Sequence, residues 1–154
     1  MLPSHDRYRC VPFPQRPDFR WPGDRRLAVY LAVNIEHFPY GEPGGIDLDR
    51  PTLPWSQRSW LWRDYGNRIG GWKLLDLFDE CQLPVGVIVN SANYAHNPEL
   101  LAAHRQRGDE IIAHGRSNGE RQIEMAEAQE QQMIQEVTAT LTQQNGIRPE
   151  GWLS

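Results

Sequence analysis

The sequence predicts an α/β fold built on a parallel sheet, and the prediction depends on two observations. Short apolar runs rich in β-branched residues recur along the chain, which is typical of strands that are covered on both faces. The segments between these runs carry apolar residues at helical spacing. The predicted order is therefore β-α-β-α-β-α-β. Strands that are joined through helices in this way lie parallel, with right-handed crossovers.

The first predicted strand follows a proline-rich segment. Residues 1–26 hold five prolines and are predicted to form an extended N-terminal arm. The run LAVYLAVNI at 27–35 is predicted to be a strand buried on both faces. Residues 38–64 are rich in proline and glycine, and we predict a long loop there. Its three tryptophans (Trp55, Trp60 and Trp62) would stack on a planar ligand or pack as a lid or dimer contact.

The helices and later strands are predicted from periodicity and from end signals. Ile69, Trp72, Leu75 and Phe78 recur at helical spacing, which predicts a helix over 67–81. The remaining predicted elements are a strand at 85–91, a helix that starts at Asn97-Pro98 and stops at Gly108, and a strand at 111–113 that Asp109-Glu110 lead into. A long helix through Met133, Ile134, Val137 and Leu141 is predicted to end at Asn145-Gly146, and a fourth strand to start at 151–154.

Polar side chains follow three of the predicted strands, at the point where each strand ends. Glu36-His37, Asn90-Ser91 and the segment 114–118 (HGRSN) occupy these positions. Alone, each group is more typical of a turn, a solvated face or a hydrogen-bonded structural histidine. Because parallel strands end at the same edge of a sheet, the three groups are predicted to converge there. A carboxylate beside imidazoles indicates either a general base or a metal site.

Composition excludes several classes of partner. The chain of 154 residues has a formal net charge of −4 and a pI near 5.7, which gives no electrostatic reason to expect binding to nucleic acid or to an anionic membrane. No apolar run reaches the length of a membrane span, and the N-terminus lacks the apolar stretch of a secretory signal. With only Cys10 and Cys81, far apart, a disulfide framework is not expected. We therefore expect a cytoplasmic protein.

Three motifs, taken in order, resemble the polysaccharide deacetylase (NodB-homology) family. VNIEHF at 33–38 stands where that family has a paired-acid motif after its first strand, and HGRSN at 114–118 stands where it has a His-(Ser/Thr)-x-x-His motif. The block at 63–91, with its Asp-Tyr-Gly-x-Arg segment, resembles the branch that contains metal-independent allantoinase and related cytoplasmic deacetylases.

The resemblance implies a fold and a length. It covers roughly residues 17–154 and implies the first three to four strands of a TIM-like (β/α)7 deacetylase barrel, so 27–154 would be the N-terminal part of an incomplete barrel. Half a barrel leaves open strand edges, and a homo-oligomer is therefore expected. Because later motifs of the family would be missing, we also expect this chain to lack hydrolytic activity by itself.

The resemblance also implies an activity and a set of site residues. The activity would be hydrolysis of a non-peptide carbon–nitrogen bond in a small amide or N-acetylated substrate, with Glu36 and His114 as catalytic residues. Arg68, Arg116 and Asn118 would contact the substrate. His37 and His114 would occupy metal-ligand positions, but an amide at 118 replaces an imidazole, so the cofactor is expected to be none or a weakly bound divalent metal such as zinc. The alternative is a non-catalytic binding module, or a degenerate fragment that keeps the fold without the metal site.

Overall fold

A parallel sheet of three strands lies at the centre of the fold. The computed structural model describes residues 9–42 and 55–154. The strands β1 (Ala32–Ile35), β2 (Gly86–Val89) and β3 (Glu110–Ala113) lie in the order β1-β2-β3, and both pairings are parallel. The predicted α/β class and parallel sheet are confirmed. Two ranges lie outside the described residues: 1–8 of the predicted arm and 43–54 of the predicted loop. Trp55 is the first described residue after the second range.

Within the described residues, five α-helices connect and cover these strands. They are α1 (Gln57–Tyr65), α2 (Gly71–Glu80), α3 (Asn93–His96), α4 (Pro98–Arg107) and α5 (Glu127–Asn145). The predicted ends of α4 and α5 are confirmed: Gly108 and Gly146 adopt left-handed backbone conformations, with φ of 81° and 76°. Glycine has no Cβ to clash in that conformation, and it therefore ends a helix readily. No helix within the described ranges is long and apolar enough to span a bilayer.

The hydrophobic core lies where α4 and α5 pack against β2 and β3. Val87 and Val89 of β2 are fully buried. The apolar stripe of α5 (Met133, Val137 and Leu141) and the pair Leu100 and Leu101 of α4 are at most 1% exposed. Burying an aliphatic side chain of this size contributes roughly 1.5–3 kcal/mol. This packing fixes the strands and therefore the positions at which their carboxyl ends stop.

The first predicted strand is too long. Pairing with β2 begins only where Gly86 N donates to Leu31 O (2.9 Å), and β1 proper is Ala32–Ile35. The prediction that 27–35 is covered on both faces is wrong, because Leu27, Val29 and Tyr30 are 75%, 77% and 63% exposed. β1 is an edge strand of the described sheet, so no neighbouring element covers the start of this run. The described part of the arm, 9–26, is almost wholly exposed, and the division at residue 26 stays a prediction.

The predicted loop at 38–64 contains a helix. Residues 57–65 form α1, which continues through a π-helical turn (Gly66–Gly70) directly into α2. Ser56 caps α1 by accepting a hydrogen bond from Ser59 N (3.4 Å). Proline and glycine are concentrated in the first part of 38–64, and 55–64 contains neither residue. A single prediction for the whole segment therefore missed α1.

The predicted fourth strand is reduced to one bridge. Trp152 pairs in parallel with Ala113, where Ala113 N donates to Gly151 O (3.0 Å) and Leu153 N donates to Ala113 O (2.9 Å). Trp152 is partly buried and packs against the core. This bridge places the segment 151–154 along the outer edge of β3, beside the carboxyl end where His114 follows.

Candidate functional site

The buried amide of Asn90 ties the ends of all three strands together. Asn90 follows β2 and is fully buried. Its Oδ1 accepts a hydrogen bond from His37 N (2.8 Å), beyond β1, and its Nδ2 donates to the carbonyl of His114, beyond β3. The predicted convergence of the three strand ends is thereby observed. Asn90 satisfies backbone groups that would otherwise be buried without partners.

Two further amides fix the backbone around Glu36. Asn93 Nδ2, at the start of α3, donates to Ile35 O (2.7 Å), and Asn67 Nδ2, in the π-helical turn, donates to Glu36 O (2.7 Å). Asn118 N donates to His37 O (2.9 Å) from the loop after β3. Three hydrogen bonds therefore fix the backbone at 35–37, and this fixed backbone orients the Glu36 side chain.

Glu36 and His114 form an ion pair at this edge of the sheet. His114 Nε2 lies 3.4 Å from Glu36 Oε1, and the two side chains are 15% and 26% exposed. This separation is long for a hydrogen bond, and we describe the contact as an ion pair. Asn34 Nδ2 also donates to Glu36 Oε1 (3.0 Å). On its other side, His114 Nδ1 lies 2.7 Å from Leu153 O.

The partners of His114 indicate that its imidazole is protonated. A carbonyl oxygen only accepts, so Nδ1 carries the hydrogen that is donated to Leu153 O. Nε2 faces a carboxylate, which is favourable only if Nε2 also carries a proton. Contact with Glu36 raises the pKa of His114, against the effect of burial. The contact with His114 lowers the pKa of Glu36 to about 2. Burial opposes this shift, and hydrogen bonds from the amides of Asn34 and Asn118 add to it.

Two cavities meet at this ion pair. The first, of about 680 Å³, is lined by residues that include Glu36, His37, Tyr40, Trp60, Arg63 and Arg68. The second, of about 520 Å³, is lined by residues that include Glu36, Arg63, His114, Arg116, Asn118 and Met133. Glu36 and Arg63 line both. The carboxylate is therefore accessible to a small molecule from either side.

The first cavity carries an aromatic wall. The ring of Tyr40 packs edge-to-face on Trp55 and Trp60, with centroids 4.9 Å and 5.0 Å apart. Trp60 Nε1 donates to Phe38 O (2.8 Å), which fixes the indole. Trp62, by contrast, is 82% exposed. Of the three tryptophans, Trp60 is therefore the one placed to contact a molecule in this cavity.

The predicted metal ligands His37 and His114 line different cavities. The ring of His37 stacks on that of His96, with centroids 4.1 Å apart and planes 13° apart. Burial and the neighbouring His96 lower the pKa of His37. Among the described residues, no three side chains of His, Cys, Asp or Glu come together as a metal-binding group. The residues therefore do not form the set of ligands that a divalent zinc site requires, and we derive no catalytic step through a metal.

The three predicted substrate contacts, Arg68, Arg116 and Asn118, have different partners within the protein. Arg68 pairs with Asp64 (2.5 Å) at the rim of the first cavity. Arg116 pairs with Glu120 (3.0 Å) and Glu136 (2.8 Å) at the second. The Asn118 amide lies against Glu36. All three line a cavity that reaches Glu36, and their roles stay predictions.

Sequence reasoning missed three side chains of this site. Arg63 and Asn67 lie four residues apart in the continuous helical segment 57–80, so they share a face. Because α1 was not predicted, their shared face was not recognised. His96 was assigned no functional role from the sequence, yet it stacks on His37 beside the same cavity. Nothing local to His96 predicts that contact.

Neither a protein-family model nor a curated protein matches the sequence. Among solved structures, Puue allantoinase superposes with a TM-score of 0.77 at 24% identity, over 98% of this chain and 54% of that chain. A Pseudomonas aeruginosa PAO1 chain described as a "probable polysaccharide deacetylase" superposes with a TM-score of 0.70 at 30% identity, over 87% of this chain and 48% of that chain.

A third solved chain, from Mycobacterium smegmatis and described by the same family name, superposes with a TM-score of 0.55 at 24% identity, over 62% of this chain and 33% of that chain. The chain thus spans about half the length, or less, of the structures it matches. The resemblance inferred from the motifs at 33–38, 63–91 and 114–118 is confirmed at the level of the fold. The chain has the deacetylase-like hydrolase fold of the polysaccharide deacetylases and of allantoinase, over about half of their length.

Proposed function

We propose that this site, within a domain of the length of its structural matches, hydrolyses a non-peptide carbon–nitrogen bond in a small amide or N-acetylated molecule, and that this chain alone lacks the activity. The observation that carries the proposal is the Glu36–His114 pair, which is held at the carboxyl edge of the sheet and opens to two cavities. In parallel α/β folds, this edge is where catalytic groups are found. The fold shared with an allantoinase and with polysaccharide deacetylases supports the same class of reaction.

The two members of the pair suit the two proton transfers of amide hydrolysis. A water beside Glu36 attacks the carbonyl carbon and gives a proton to the carboxylate. The protonated His114 then donates its Nε2 proton to the nitrogen as the carbon–nitrogen bond breaks, which avoids release of an amide anion. Glu36 finally returns its proton to His114 Nε2 across the 3.4 Å gap. The products are an acid and an amine, and the pair is restored.

One observation favours a second candidate, a binding module. A carboxylate whose pKa is about 2 is a weak base at neutral pH, and general bases work best when their pKa is near the working pH. In its paired state the site is suited to binding an amide without cleaving it. Catalysis by this pair requires Glu36 to accept a proton from water while His114 is still protonated, and the low pKa of Glu36 opposes that step.

A pair of assays separates the two candidates. Acid release from N-acetylated sugars, ureides and cyclic imides is measured alongside binding of the same compounds. If the site is catalytic, Glu36→Gln in the full-length domain lowers turnover by roughly a hundredfold or more while binding changes little. The matched control Ser117→Ala, in the same loop as His114, changes turnover only mildly. Binding without turnover, unaffected by Glu36→Gln, would establish the binding module instead.

The cofactor, cytoplasmic location and homo-oligomeric state expected from the sequence are part of the same proposal. The metal is tested by elemental analysis of the purified protein. We expect less than one equivalent. A full equivalent of zinc that is lost in His114→Ala would overturn the assignment of Glu36 and His114 as a pair that works without a metal.

A further inference from the structure

Arg63 occupies the boundary between the two cavities of the site. Its guanidinium carbon lies over the Phe38 ring, 3.9 Å from the centroid, and the side chain is half-buried. It lines both cavities beside Glu36 and also a smaller one, of about 210 Å³, behind β1. Stacking on an aromatic ring holds a guanidinium by its face and leaves its N–H edge available for hydrogen bonds.

The other arginines of the site are already neutralised by carboxylates. Arg68 is paired with Asp64, and Arg116 is paired with both Glu120 and Glu136. Arg63 makes no salt bridge or side-chain hydrogen bond within 9–42 and 55–154; its nearest compensating charge is that of Glu36. Burial lowers the pKa of Arg63, which indicates a cation that has lost water without gaining a full partner.

The carboxylate beside Arg63 is already engaged by other groups. Glu36 Oε1 lies 3.4 Å from His114 Nε2 and accepts a hydrogen bond from Asn34 Nδ2 (3.0 Å). Arg63 is therefore a half-buried cation without a carboxylate of its own within 9–42 and 55–154. Such a cation favours binding of an anion, and a carboxylate matches the planar fork of an arginine.

We propose that Arg63 binds a carboxylate group of the substrate, so that the site accepts amides that carry a carboxylate close to the scissile bond. The inference rests on the proposed function for the identity of the amide, but it can be tested by binding alone. The carboxylate would lie at the N–H edge of Arg63, and the amide carbonyl would lie beside Glu36 and His114. Neutral amides of the same shape would lack the charge-assisted hydrogen bonds and bind more weakly.

The test compares two probes that differ only in charge, N-acetylglycine and N-acetylglycinamide. Both are titrated into ¹⁵N-labelled protein at low salt and neutral pH, and dissociation constants are taken from amide chemical-shift changes. We expect N-acetylglycine to bind about tenfold more tightly, the effect of one charge-assisted hydrogen bond. Arg63→Gln should abolish this preference. Arg58→Gln, an exposed arginine on the same helix, is the matched control and should keep it.

Each outcome bears on the proposal. Equal affinities in the wild type, no binding of either probe, a preference that survives Arg63→Gln, or an equal loss in Arg58→Gln would overturn it. If Arg63→Gln gives a poorly dispersed spectrum, Arg63→Lys replaces it: the charge stays and the planar fork is lost, so the preference should fall about threefold. An unchanged preference in that variant would also overturn it. If binding depends on Arg63 but the assays above show no hydrolysis, the proposed function is refuted and the carboxylate-binding role of Arg63 is retained.

Discussion

The two edges of the sheet carry the same kinds of side chain, but in different surroundings. At the amino edge, Asp109 accepts from His104 Nδ1 (2.8 Å) and from Arg107 Nε (2.9 Å). The His104 and Asp109 side chains are only 1% and 3% exposed, whereas His114 and Glu36 at the carboxyl edge are 15% and 26% exposed. Each edge thus combines a histidine, a carboxylate and an arginine. Asp109 also lines a cavity, of about 640 Å³, but its side chain is almost fully buried, and Glu36 is the more exposed carboxylate of the two.

The difference lies in what surrounds each carboxylate. Arg107 also donates to Leu83 O (2.9 Å) and pairs with Asp79, so the amino-edge network joins α2, α4 and the loops before β2 and β3. Glu36 faces two cavities and an arginine without a carboxylate partner in the described ranges. A closed network stabilises the fold, and an open one can exchange a partner for a ligand. Residue type alone does not distinguish them.

The largest expected loss of stability comes from breaking the buried network at the amino edge. Asp109→Ala removes the buried carboxylate that His104 and Arg107 share; Arg107 keeps Asp79 and Leu83 O, but the buried His104 Nδ1 loses its partner. We expect the free energy of unfolding to fall by roughly 3–5 kcal/mol, as for other broken buried pairs. Denaturant unfolding measures it. The control Glu124→Ala, which removes an exposed pair with Arg121, should stay within about 0.5 kcal/mol. Similar small losses in both variants would contradict the distinction between the edges.

A smaller loss is expected from Asn90→Ala at the carboxyl edge. The change leaves His37 N and the His114 carbonyl without their buried partner. We expect roughly 1–3 kcal/mol of destabilisation, the effect of leaving buried polar groups unpaired. Larger chemical-shift changes should occur at 36–37 and 114–118 than elsewhere. The neighbouring Ser91→Ala is the control. Shifts spread evenly over the sheet would show that Asn90 does not tie these strand ends together.

The smallest expected effect is a pH dependence of stability that sharpens the comparison. The lowered pKa of Glu36 contributes stability that is present above its ordinary value of 4.5 and is lost as the pH falls toward about 2. The raised pKa of His114 contributes stability that is present below its ordinary value of 6.5 and is lost as the pH rises through its value in the folded protein. The pair is therefore fully formed between about pH 4.5 and 6.5.

The comparison of wild type with Glu36→Gln isolates this contribution. The difference in the free energy of unfolding should be greatest between about pH 4.5 and 6.5, at about 1 kcal/mol, because the pair is partly exposed. It should shrink on both sides of that window. A difference that is constant from pH 3 to pH 8 would mean that the two groups are not coupled in the folded protein.

Features encoded by neighbouring residues were predicted from the sequence. The helix ends at Gly108 and Gly146 and the buried stripe of α5 follow from local patterns, and so does the placement of Glu36 and His114 at strand ends. The parallel order of the strands followed from the helices between them. These signals located the edge of the sheet at which the candidate site lies.

The features that were missed depend on distant neighbours. The exposure of Leu27 and Val29 depends on whether another element covers the start of β1, which an apolar run does not reveal. The role of Asn90 depends on backbone groups 53 and 24 residues away. The position of Arg63 beside Glu36 depends on how the helical segment 57–80 packs against β1. Sequence patterns predicted most of the elements, but not α1 and not these contacts.

The most direct test of the central claim is an NMR titration of His114 in the wild type and in Glu36→Gln. The claim is that His114 is a protonated partner of an accessible carboxylate. It predicts that the pKa of His114 lies above its ordinary value of 6.5 in the wild type and falls below the wild-type value in Glu36→Gln, because the contact with Glu36 is the largest cause of the rise. A pKa of His114 at or below 6.5 in the wild type, or one that Glu36→Gln leaves unchanged, would contradict it.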